Sequence, residues 1–300
     1  MISVWCSEKL DGIAAAAIIF RHAMLSKLPV HFGGFLHPDT LTEELEELAG
    51  EEHKLLFVLD ACITPDHLPL VEKISEHNKL VYWNSPDASC VVPPAKIFDK
   101  GQAPAAELAQ KRFLPQDPVA KELVRLAKEV KSWQLKDERA VKLQDLIAAQ
   151  YSPVELITAL SKGVFWNDHF ENECERYAEK KQVALEELMQ GLIIRSFVDH
   201  RFGFALAPAF LPSAIACQRV LDGHAGVDVA IVLFKDGRIV FRRRDGVDVD
   251  VQKLAELFGG GGHPYAAGAR LSKPVSKDSF PDTLFYVDQA LRNFLLRRQA

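Results

Sequence analysis

Hydrophobic residues in the first third of the chain fall in short solid blocks separated by stretches of helical periodicity. Ile2–Cys6, Val30–Phe35, Leu55–Leu59 and Leu80–Trp83 are such blocks, and Ala95–Phe98 is a weaker fifth. Blocks without polar alternation predict strands covered on both faces, the habit of parallel sheets. Between them, the Ala/Ile-rich run from Ile13 to about Leu25 and the amphipathic segments Leu41–Leu48 and Pro65–Glu76 predict helices. Strands alternating with helices give an α/β fold: a parallel sheet with helices on both faces, which binds ligands at the carboxyl ends of its strands.

The pattern turns helical from Ala105 to about Gly191 and ends in a charge-laced amphipathic stretch, Phe170–Leu192, that predicts a helical linker. Beyond it come an apolar stretch at Phe204–Ala209, a helix near Ala214–Leu221, strands at Val227–Phe234 and Arg238–Arg243, a short helix at Val251–Phe258 and a closing helix at Asp282–Arg298. The expected organisation is an N-terminal domain of residues 1–185 and a smaller α/β C-terminal domain of residues 193–300. A length of 300 residues suits two domains.

Composition adds a charge asymmetry. The net charge of −5 is a balance of −9 over residues 1–192 and +4 over residues 193–300. A basic second domain suits a phosphate-bearing ligand, while the acidic whole argues against a coat for long duplex DNA. No apolar run is as long as a membrane span. Glu8 and Asp11 stand where a signal peptide carries lysines, so a cytoplasmic protein is expected. Five dispersed cysteines without a C-x-x-C pair point away from disulfides and zinc.

The most specific segment is Phe258-Gly-Gly-Gly-Gly-His-Pro-Tyr-Ala-Ala-Gly268. A helix C-cap needs one glycine, not four followed by His-Pro. Successive glycines let backbone N–H groups converge on an anion. Gly259–His263 with Ala266-Ala267-Gly268 resembles the signature of the C-terminal, DHH-associated domain of the DHH phosphoesterase superfamily, whose members include single-strand exonucleases, nano-RNases and exopolyphosphatases. The resemblance covers about the last third of the chain well and the rest in outline. It implies that Gly260, Gly261, Gly262 and His263 bind a phosphate or nucleotide end, joined by Arg243 from the basic strand end Arg242-Arg243-Arg244.

The same resemblance implies a two-metal site of Mn²⁺ or Mg²⁺ in the first domain, fed from four places. The first loop, Ser7-Glu8-Lys9-Leu10-Asp11-Gly12, matches the family's Asp-x-Asp-Gly at Asp11 and Gly12, with Lys9 replacing the first Asp. Asp60, ending the strand Phe57–Leu59, matches the second. Where Asp-His-His is expected, the chain has Asn84-Ser85-Pro86, with Asp87 as a displaced ligand; for the fourth, Asp137 is the nearest carboxylate. Asp199-His200-Arg201 is only a superficial likeness to the missing motif and reads as a surface turn. Lys9 beside Asp11 and Asp60 would neutralise the carboxylates in a cation's stead. The expectation is therefore no cofactor, or weakly bound Mn²⁺/Mg²⁺, in a pseudoenzyme-like protein that binds short single-stranded nucleic acid or a nucleotide between its domains. The alternatives are a divergent metal-dependent phosphodiesterase, with Asp11 and Asp60 as residual catalytic groups and Asp11, Asp60 and Asp87 on one metal, or a non-catalytic scaffold.

Overall fold

The computed structural model describes residues 1–38, 40–85, 91–101, 103–132 and 134–297. The chain divides into two compact units, residues 1–175 and 176–300.

The first unit begins β1 (Ile2–Cys6), α1 (Leu10–Leu25), β2 (Val30–Phe35), α2 (Leu41–Ala49), β3 (Leu55–Leu59), α3 (Leu68–His77), β4 (Lys79–Ser85) and β5 (Ile97–Lys100). These strands pair in parallel in the order β2-β1-β3-β4-β5. Alternation along β1 sends Ile2, Val4 and Cys6 to one face and Trp5 to the other. The first face carries α1 with the later helices α4 (Ala105–Phe113), α5 (Pro118–Lys131), α6 (Glu138–Ala148) and α7 (Pro153–Ser161); the second carries α2 and α3. Ala14–Ala17 are buried on every side of α1, and their small size lets α4, α5 and α7 close around it.

Trp5 explains the consecutive glycines of β2. A Cβ on Gly33 would overlap Trp5 Nε1, and one on Gly34 would lie 2.6 Å from Trp5 Cζ3. The indole lies across the neighbouring strand, where only bare backbone fits.

The boundary between the units falls inside α8 (Asp168–Gln190). The second unit continues with β6 (Ile193–Phe197), β7 (His200–Ala207), α9 (Ser213–Gly223), β8 (Val229–Phe234), β9 (Arg238–Arg243), α10 (Val251–Glu256), β10 (Gly261–His263), β11 (Ala266–Arg270) and α11 (Phe280–Arg297). Its sheet runs β10-β11-β9-β8-β7-β6, with β7 and β8 parallel and the other pairs antiparallel. Phe202, Phe204 and Phe241 pack with α10 and α11 on one face; Ala205, Ala230 and Val232 pack with α9 and the end of α8 on the other.

Two elements escape the sequence pattern. The β6–β7 hairpin turns at Val198, a β-branched residue at φ +54°, where no Gly or Asn announces a turn. Asp199 and His200 belong to this hairpin. The glycine segment forms a second hairpin, β10–β11, rather than an open loop. Among the described residues no helix is long and apolar enough to cross a membrane.

Replacing Gly33 with alanine is expected to lower stability by about 1–3 kcal/mol through overpacking against Trp5. A shift of the urea midpoint, with the slope unchanged, measures it.

Candidate functional site

In the first unit, the carboxyl ends of β1, β3 and β4 bring Ser7, Asp11, Asp60 and Asn84 together. Asp11 sits in the first turn of α1 and is only 7 % exposed. Its Oδ2 accepts from Ala105 N–H and its Oδ1 from Ala106 N–H, both at 2.9 Å. Asp11 thus serves the N-terminus of α4, whose own N-cap is Pro104 and makes no side-chain cap bond. Lys131, the last residue of α5, places Nζ 2.9 Å from the same Oδ2. Gly12 is a steric necessity beside it, because a Cβ there would come within 2.5 Å of Ser7 O and Oγ.

Asp60 follows β3 at φ +54°, a left-handed conformation that Asp tolerates better than most residues. Its N–H donates to Asn84 Oδ1 at 2.7 Å, and its Oδ2 accepts from Ser7 Oγ. Burial pushes the Asp60 carboxyl above the ordinary value and the nearby Asp11 adds to this; Ser7, Lys9 and Lys131 pull it back. Asn84 is fully buried, and its amide nitrogen donates to Ala105 O and Tyr82 Oη. Ser85 Oγ donates to Cys62 Sγ. Cys6, the buried last residue of β1, is a poor nucleophile, since burial and then Asp60 raise its thiol well above the usual range.

These donors do not fit a pair of divalent cations. Both Asp11 oxygens are committed to backbone N–H groups and an ammonium, and Asn84 is neutral and spends its amide on the fold. Among the described residues no three His, Cys, Asp or Glu side chains converge on a metal position. Asp87 lies outside the described residues. Asp137 caps α6 and pairs with Arg139 and Arg125, which hold its carboxyl well below the usual range. The cation bonded to Asp11 is Lys131, 120 residues away in sequence, whereas Lys9 is exposed and acts on Asp60 only through its charge. Only the packing of α5 on α1 reveals Lys131.

Glu8, in the same loop, is tied by His37. His37 Nε2 lies 3.0 Å from Glu8 Oε2, and Nδ1 lies 2.6 Å from Glu44 Oε1 on α2. The hydrogen bond to Glu8, helped by Glu44 and opposed by partial burial, raises the His37 pKa to about 9. The ring is thus cationic at neutral pH.

In the second unit, the four glycines have separate duties. Gly259 and Gly260 end α10: their N–H groups donate to Glu256 O and Ala255 O, and Gly259 has φ +73°. A Cβ on Gly260 would overlap Gly268 O. Gly262 combines φ +143° with a Cβ position 2.7 Å from Ala267 Cα. Gly261 alone has neither constraint; a Cβ there meets nothing within 4 Å. The segment therefore does not curl its N–H groups around one point. Two of them cap a helix, and Gly261–His263 is extended at the sheet edge.

Register places the neighbouring arginines. Arg242 pairs with Ala230 on one side and Ala266 on the other, and Ala266 pairs with His263. Paired residues share a sheet face, so Arg242 and His263 stand on one face, about 10 Å apart at ~4.8 Å per strand, with Ala266 between them. Gly268 and Gly261 extend that floor without bulk. Arg242 has no hydrogen-bond or ion-pair partner among the described residues, and its charge is felt by Cys217 on α9. Arg243 is on the other face with Phe241; its Nε donates to Pro264 O and its Nη1 to Arg244 O, bracing the β10–β11 turn. Arg244 donates to the carbonyls of Leu221, His224 and Val227 and secures the end of α9. The strand alternation legible in the sequence separates Arg242 from Arg243, but it takes the pairing with β11 to show which one shares a face with His263. Tyr265 stacks on His263 with ring centroids 5.5 Å apart and planes inclined by 6°.

Residues 212–293 match the family model of the DHHA1 domain. The chain has the two-domain α/β fold of the DHH phosphoesterase superfamily, with a DHHA1 domain at its C-terminal end. It resembles the DHH domain of a member of the S1p family of ribosomal proteins (15 % identity, TM-score 0.65, 97 % of this chain and 86 % of the other). It also resembles RecJ from Thermus thermophilus in complex with Mn²⁺ (15 % identity, TM-score 0.61), matching over 99 % of its own length but spanning only 52 % of RecJ. A third likeness is to PggH of Vibrio cholerae, a pGpG-specific phosphodiesterase (12 % identity, TM-score 0.58, 97 % and 99 %). No curated protein matches the sequence.

Lys131→Met is expected to cost about 1–2 kcal/mol, because it leaves a buried carboxylate with only its two N–H donors, whereas Lys131→Arg retains most of the stability. Urea midpoints at pH 7 measure both. The contribution of His37 is complete below pH 6.5, its unfolded value, and is lost as pH rises through about 9. Unfolding midpoints from pH 7 to 10 should fall across that window, and His37→Gln should flatten the fall.

Proposed function

We propose that this chain binds the phosphate-bearing end of a short single-stranded oligonucleotide or a nucleotide on the DHHA1 sheet, and that its first unit does not hydrolyse it by two-metal chemistry. One observation carries the binding half: Arg242 and His263 flank a floor of Ala266, Gly268 and Gly261 on one sheet face, with Gly261 free of any structural need to be glycine. An unpartnered guanidinium supplies bidentate donors for phosphate. The exposed His263–Tyr265 pair offers an aromatic surface to a base. Gly261 lets the ligand approach the backbone. Arg243 and the remaining glycines support this platform by holding the hairpin. The likeness to PggH, a pGpG-specific phosphodiesterase, favours the same ligand class.

The non-hydrolytic half rests on the donor set around Asp11. With Asp11 paired to Lys131, the residues at the strand ends supply hydrogen bonds and one partly buried carboxylate, Asp60. They orient Ser7 and the loop that carries Lys9, and among the described residues they offer no cluster of three ligands for a cation that would activate water. A second reading, a divergent phosphodiesterase using Asp60, predicts cleavage dependent on that residue, and a non-catalytic scaffold predicts neither binding nor cleavage.

Incubation with end-labelled di- to pentanucleotides, with and without Mn²⁺, tests both halves. The expected outcome is binding without cleavage, unchanged by Mn²⁺. Arg242→Ala and His263→Ala should each weaken binding about tenfold, the loss of a charged hydrogen bond of ~1.4 kcal/mol or more. Gly261→Leu should block binding while leaving the unfolding midpoint unchanged, whereas Gly262→Ala should lower the midpoint. Mn²⁺-dependent cleavage abolished by Asp60→Ala would overturn the non-hydrolytic reading.

A further inference from the structure

A concavity in the C-terminal unit lies away from the platform. It is a cavity of about 510 Å³ where β7 and β8 end, bounded by α8 and the start of α11. Its apolar wall comes from Leu206, Pro208, Phe210 and Phe280, with Val183 of α8 at the rim and 56 % exposed. Lys180, Lys235 and Lys277 project around it. Position along the sheet separates it from the platform. Leu206 comes from the Phe202/Phe204 face and α8 from the other, so the cavity sits past the strand ends rather than on either face. Along β8, Lys235 lies five residues beyond Ala230, the partner of Arg242, roughly 17 Å at ~3.3 Å per residue.

The charge around this cavity is compensated only in part. Lys277 Nζ lies 3.5 Å from Glu187 Oε2, the carboxylate of the lining. Lys180 Nζ sits 4.1 Å from the centroid of the Phe210 ring, and neither Lys180 nor Lys235 has a carboxylate partner among the described residues. Asp236, next to Lys235, is taken by Arg238 at 2.7 Å. In a chain with 41 acidic and 36 basic residues, two ammonium groups left free around one apolar hollow call for an anion. The volume falls within the range of small-molecule sites, and the wall matches a ring-sized apolar body rather than a bare inorganic ion. Cation–π contact already holds Lys180 over one side of Phe210.

We propose that this cavity is a binding site for a small organic anion, an apolar body of ring size carrying one or two negative charges, independent of the platform around His263. The sulfonated dye 1-anilinonaphthalene-8-sulfonate has that chemistry and serves as the probe. Titrated into the full chain, it should show saturable fluorescence enhancement with one site. The double variant Lys180→Glu/Lys235→Glu should weaken binding at least tenfold, and Val183→Trp, at an exposed rim position, should abolish it by filling the hollow. Arg242→Ala and His263→Ala should leave it unchanged, so failure here is distinguishable from failure at the platform. Displacement by a nucleoside monophosphate or by 1-naphthoate supports the proposal and shows whether the site takes a phosphate or a carboxylate on its ring. Absence of saturable binding, full binding in the rim variants, displacement by neither competitor, or loss in His263→Ala overturns it.

Discussion

The first unit depends on where the buried charge of Asp11 goes. A carboxylate so deep in a helix-packed interior costs several kcal/mol unless it is satisfied, and three groups satisfy it. Two are the opening N–H groups of α4, which lack partners inside their own helix, and the third is the ammonium that ends α5. One side chain thus links three helices, α1, α4 and α5, over the sheet. Asn84 performs a neutral version of the same task one strand over, holding Asp60 in its left-handed conformation and reaching across to Ala105. The strand ends remain in the arrangement typical of a ligand site, but their polar atoms are used to join helices.

The second unit solves a different problem, presenting charge next to exposed backbone. Its glycine run looks uniform as text and is heterogeneous as structure. Two residues finish a helix, one passes against Ala267, and one is bare with nothing beside it. The arginine triplet divides in the same way between a carbonyl clamp, a turn brace and an unpartnered guanidinium. In both runs one residue is left over after the fold has been satisfied, and the two leftovers share a sheet face.

Much of the architecture was legible because it rests on periodicity. Solid apolar blocks marked β1 to β4, helical spacing marked α1 to α3, and the glycine signature marked the DHHA1 domain. β6 was hidden because its turn uses Val198 in a conformation no propensity favours, and β10 because glycine reads as loop. The site was legible only in part. Asp11, Asp60 and Asn84 do meet, as their strand-end positions suggested, but Lys131 was invisible, since an ion pair across 120 residues leaves no local mark. Lys9 drew attention by proximity, while the bonded cation came from the far end of α5. Likewise, alternation separated Arg242 from Arg243 but did not say which face His263 would join; the β9–β11–β10 register decided that.

The tethering of Lys131 has a thermodynamic corollary. A bound ion stabilises a protein by mass action, so the fold it supports strengthens and weakens with the ion's concentration. An ammonium carried on the chain arrives at fixed stoichiometry and cannot be diluted, chelated or exchanged. The link it makes between α1 and α5 is therefore present in every folded copy of the chain.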